Sequence, residues 1–94
     1  MLYILNKSPI LLPTLVDSFA LLKKDDALLL IEDGVYAALH GSAYPIKNAN
    51  IKIFALLDDV IARGLQEKLS TEVKLIDYSK FVELTIQYYP ICNW

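Results

Sequence analysis

The chain has 94 residues, of which 55% are hydrophobic and 21% charged, and a formal net charge of −2. That length fits a single domain over residues 1–94, and an apolar, weakly charged composition is the reverse of the signature of disorder. Nine Lys and Arg residues, scattered among eleven acids, make no cationic groove for phosphates, so direct nucleic-acid binding is not expected.

The elements follow one another as strand, then helix. Met1 to Leu5 reads as a first strand, and Asn6-Lys7-Ser8-Pro9 as the turn that ends it. Thr14 then offers an N-cap with Asp17 three residues on. Leu15, Phe19 and Leu22 follow at helical spacing. Lys23 to Asp26 is a charged turn. The unbroken apolar run Ala27 to Ile31 fits a strand covered on both faces. Glu32-Asp33-Gly34 ends that strand, and Val35 to His40 forms a short helix stopped by Gly41. Ser42 to Asn50 has no regular pattern.

Ile51 to Leu56 is a third strand. Asp58 caps a short helix running through Arg63, Gly64 ends it, and Asp59 and Arg63 form an i, i+4 pair within it. Val73 to Ile76 is a fourth strand. Asp77 caps a last helix from Tyr78 to about Tyr89, stopped by Pro90. Its apolar face is read as Tyr78, Phe81, Val82, Thr85, Ile86 and Tyr89, with Lys80, Glu83 and Gln87 toward water. Strands alternating with helices through short turns predict a small three-layer α/β/α sandwich. Its mainly parallel sheet has four strands, with room for a fifth.

The apolar share exceeds the ~45–50% usual for globular domains, in a body that buries only roughly 60–68% of its unfolded surface. Part of the surface is therefore expected to be covered by a partner subunit. Tyr36, Tyr44 and Trp94 are the interface candidates, as large aromatics where the local pattern does not demand core burial. No apolar run reaches the ~20 residues of a membrane span. Pro9, Pro13 and Asp17 argue against a secretory signal, so the cytoplasm is the expected location.

Chemistry-bearing patterns are few. Three glycines make neither a dinucleotide fingerprint nor a P-loop. One His and one Cys make no zinc set, and no metal or cofactor is expected. His40 beside Gly41-Ser42 lacks a nucleophile elbow. Glu32 and Asp33 are adjacent on an extended segment and point opposite ways, so Asp33 reads as a turn or cap residue rather than half of a carboxylate dyad. Cys92, in a terminal tail, is the one candidate persulfide carrier. No cation is near it in sequence to favour its thiolate, and no second cysteine can resolve it.

An ordered set of segments nonetheless resembles the TusB/DsrH family. The set is Asn6-Lys7-Ser8-Pro9, the run Leu28 to Ala38, Ile51 to Leu56 leading to Ile61-Ala62-Arg63-Gly64, Ile76 to Thr85, and the closing Trp94. The resemblance implies a DsrE/F/H-like α/β/α fold. It also implies a non-catalytic subunit of a TusBCD-type sulfur-relay complex, a dimer of heterotrimers with TusC-like and TusD-like partners. Such a complex passes persulfide sulfur from TusA towards TusE for 2-thiolation of wobble uridine in tRNA; a related DsrEFH complex serves sulfur oxidation. The family's sulfur-accepting cysteine belongs to the TusD/DsrE sibling, near the start of the helix after its third strand. The equivalent stretch here, Leu56-Leu57-Asp58-Asp59, has no thiol. Some DsrH members carry a cysteine where this chain has Ser18. A self-associating DsrH-like carrier that uses Cys92 is the alternative.

Overall fold

The computed structural model describes residues 1–8, 22–39 and 51–93. Five strands, β1 (Leu2–Leu5), β2 (Ala27–Leu30), β3 (Lys52–Leu56), β4 (Val73–Ile76) and β5 (Ile91–Asn93), form one sheet in the order β4-β3-β2-β1-β5. Every neighbouring pair is parallel. The helical elements are a 3₁₀ helix (Glu32–Ala38), α1 (Leu57–Ala62) and α2 (Tyr78–Gln87).

Strand alternation sorts the side chains into two cores. Leu5, Leu28, Leu30, Ile53 and Ala55 pack with Val35 of the 3₁₀ helix and Val60 of α1. On the opposite face Leu2, Ile4, Ala27, Leu29, Phe54 and Ile76 pack with Leu84 of α2. The steps β2→β3 and β3→β4 run in one direction across the sheet, and their helical elements share one face. The return from β4 to β5 runs the other way, so α2 covers the other face, as right-handed crossovers require. β2 is central and all four of its residues are buried, which is why it reads as an unbroken apolar run.

Several sequence expectations need correction. The segment after β2 becomes 3₁₀ already at Glu32 and runs to Ala38, so Glu32-Asp33-Gly34 opens this element rather than preceding a helix at Val35. Gly34 lies against the end of β1, where a Cβ would run into the Leu5 carbonyl oxygen, and only glycine lets the chain turn back there. Asp58 is not a cap: Leu56 holds the N-cap position of α1 without a side-chain hydrogen bond, and Asp58 lies in the first turn. Gly64 does end α1, at φ 67°. Asp77 caps α2, its carboxylate accepting from the Lys80 N–H at 2.8 Å.

The largest correction concerns α2. The expected apolar face omitted Leu84, yet Leu84 is its buried residue, flanked by half-buried Phe81 and Tyr88. Tyr78, Val82, Ile86 and Tyr89 are instead 65%, 43%, 78% and 84% exposed. Lys80, read as facing water, is half-buried. The sequence carries apolar residues on two sides of this helix, and the sheet takes the narrower one. The segment after Pro90 is no free tail either: it is β5, paired to β1. The proposed first helix from Thr14, together with His40, Gly41 and the irregular stretch 42–50, lies outside the described residues.

Candidate functional site

Ligands of parallel α/β sheets sit beyond the carboxyl ends of the strands. Here that rim is built by the 3₁₀ helix and the start of α1. The Ile31 N–H donates to the Leu5 carbonyl at 3.0 Å, tying β2 to β1 where both end. Glu32 follows at φ 49°, a left-handed conformation uncommon for a residue with a side chain. Its N–H donates to Asp59 Oδ2 at 2.8 Å, so a carboxylate on α1 pins the strained residue.

Arg63 completes this rim. Its Nε and Nη2 lie 3.1 and 3.0 Å from one oxygen of Asp33, and its Nη1 donates to the Asp59 carbonyl at 3.3 Å. The i, i+4 ion pair with the Asp59 carboxylate is longer, at 3.9 Å. Asp33 and Asp59 are thus both engaged with Arg63, and the rim is a brace between two helical elements. Asp33, read as a turn or cap residue, lies instead inside the 3₁₀ helix, whose N-cap position is Ile31, and its carboxylate is the partner of Arg63. The Arg63–Asp33 contact was not foreseen, because nothing local marks a pairing thirty residues apart.

Cys92 is half-buried on β5, in register with Tyr3 of β1. Burial pushes the Tyr3 phenol above its ordinary range, and the charges of Asp26 and of the Cys92 thiolate add to this. Tyr36, on the 3₁₀ helix, is half-buried against the first core. Tyr44, Trp94 and Ser18 lie outside the described residues. Among the described residues no group of three His, Cys, Asp or Glu side chains is placed to hold a metal ion. No helix there is long and apolar enough to cross a membrane.

These features define a small α/β/α sandwich domain. Its strand-end rim is braced by ion pairs, and one of its helices shows a second, bare apolar side. Comparison with known proteins gives the same class a family. Residues 7–90 match the family model described as "DsrH like protein". The chain is 43% identical to "Protein TusB" of Escherichia coli, over the full length of both, and 44% identical to the same protein of another strain. Among solved structures, protein Tm0979 of Thermotoga maritima aligns with 32% identity and a TM-score of 0.69, covering 93% of each chain. The Escherichia coli ychN protein shares the fold, with a TM-score of 0.70 at 17% identity over 99% of this chain and 97% of that one. The chain belongs to the TusB/DsrH family.

Proposed function

We propose that this chain is a non-catalytic structural subunit of a TusBCD-type sulfur-relay complex. It would assemble with TusC-like and TusD-like partners in the cytoplasm, in a dimer of heterotrimers that passes persulfide sulfur from TusA towards TusE for 2-thiolation of tRNA wobble uridine. The observation that carries this reading is the full-length likeness to Protein TusB. Two structural features support it. The start of α1, where the family's sulfur-accepting sibling has its cysteine, holds Asp58 and Asp59, and Asp59 is engaged with Glu32 and Arg63. The exposed row Tyr78, Val82, Ile86 and Tyr89 on α2 gives a sibling subunit of the same fold an apolar face to cover.

The test is co-expression with TusC-like and TusD-like proteins, followed by size measurement. A stable complex of all three chains supports the proposal. An exclusively homo-oligomeric species that ignores both siblings overturns it.

A second reading rests on Cys92, a free cysteine that is half-buried rather than enclosed. In it the chain itself carries sulfur. After incubation with a persulfide donor, a mass gain of one sulfur atom that disappears in Cys92→Ser favours that reading. No gain supports the structural role.

A further inference from the structure

On the α2 side of the sheet, a cleft of about 400 Å³ opens between α2 and the starts of β3 and β4. This face is apolar wherever it is covered, yet Lys52 shares strand parity with buried Phe54, and Lys74 with buried Ile76. Register places Lys74 beside Phe54. Lys80 reaches the same cleft from the first turn of α2 and is half-buried there. Glu72 is the single acid in the lining, so the cleft carries a net charge of +2 in a chain whose total is −2. None of the three lysines is in an ion pair with a described residue.

The floor differs in character from this rim. Phe54 and Leu84 are 5% and 1% exposed, and Tyr88 forms part of the wall with a phenol able to hydrogen-bond. An apolar floor with aromatic edges beneath three ammoniums suits a ligand with a flat ring and an anionic head. Ammonium groups bind phosphate as point charges. The volume lies within the ~300–1,000 Å³ of small-molecule sites.

We propose that this cleft binds a phosphorylated, ring-bearing small molecule of mononucleotide size. The site uses scattered lysines brought together by strand register, so a search for glycine-rich phosphate loops passes over it. The proposal stands apart from the sulfur-relay reading, and either can fail without the other.

The test is an amide-resonance titration of the full chain at low salt with adenosine monophosphate, adenosine and inorganic phosphate. The monophosphate is expected to shift residues 52–54, 74 and 84–88 saturably, and the other two to bind about tenfold more weakly or less. Lys52→Gln with Lys74→Gln should weaken the monophosphate about tenfold while leaving the circular dichroism spectrum unchanged, since both side chains are exposed. Lys7→Gln, exposed beyond the carboxyl end of β1 and so at the opposite end of the sheet, should change nothing. The proposal is overturned if the cleft resonances do not saturate or if adenosine binds as well as its monophosphate. It is equally overturned if phosphate alone binds as tightly, or if the double variant binds unchanged.

Discussion

Arg63 grips Asp33 through a single carboxylate oxygen, at 3.1 Å from Nε and 3.0 Å from Nη2, and so ties the end of α1 to the 3₁₀ helix. Asp33 is largely exposed, so water screens the pair and its own contribution is about 1 kcal/mol or less. Arg63→Ala should therefore lower stability by about 1 kcal/mol in urea unfolding, and Asp33→Asn by less. A loss above about 3 kcal/mol for Asp33→Asn would mean that the brace does far more than an exposed ion pair can.

Asp59 is expected to matter through the backbone. Asp59→Ala leaves the Glu32 N–H without its acceptor in a left-handed residue, at a cost of about 1–2 kcal/mol. Asp59→Asn keeps an acceptor oxygen and should recover most of that loss. Equal losses for the two variants, measured by thermal unfolding, would show that the charge and not the hydrogen bond is what counts.

Gly34, inside the 3₁₀ helix, and Gly64, just past the end of α1, should behave differently. At Gly34 an added methyl meets the Leu5 carbonyl, and Gly34→Ala should cost about 3 kcal/mol or more. At Gly64 the space is open and only the positive φ is at stake, so Gly64→Ala should cost about 1 kcal/mol. The comparison is a pair of denaturant midpoints.

Leu84 and Ile86 separate the two sides of α2. Leu84→Ala should cost about 2–5 kcal/mol in the isolated chain. Ile86→Asp should leave the isolated chain within about 0.5 kcal/mol of the parent yet abolish assembly with sibling subunits. Intact assembly in the Ile86→Asp protein, read by size-exclusion chromatography, would exclude this side of the helix as the contact.

Tyr3 predicts an alkaline limit. Its folded phenol titrates above the ordinary value of 10.0, so above that pH the unfolded chain has lost a proton that the folded chain retains. The Tyr3 contribution to stability is fully present below about pH 10 and is lost as pH rises through the folded value. Ultraviolet titration should show a late-titrating phenol that is missing in Tyr3→Phe.

Much of this architecture is legible in the residues themselves. The Ala27–Leu30 run, the Asp77 cap and the Gly64 stop each carry a local physical signal, and each stands where the signal puts it. The face of α2 was not legible, because Tyr78, Val82, Ile86 and Tyr89 form a longer apolar row than Phe81, Leu84 and Tyr88. Periodicity ranks rows by length, whereas the sheet selects by fit. The brace at Arg63 and the lysine cleft both depend on neighbours far away in sequence, which no local pattern reports. β5 is too short, and too close behind Pro90, to announce itself as a strand.

That last strand has a consequence for the thiol it carries. β5 joins β1 by three residue pairs only, and it arrives after nearly the whole chain has passed since β1. Its junction is the shortest in the sheet and lies at the edge, so it should be the first to detach in partial opening. Detachment would release Cys92 and bare the edge of β1 in a single event. The reactivity of Cys92 would then follow the rate of that opening rather than its static exposure, and a neighbour that clamped the sheet edge would protect the sulfur without touching it.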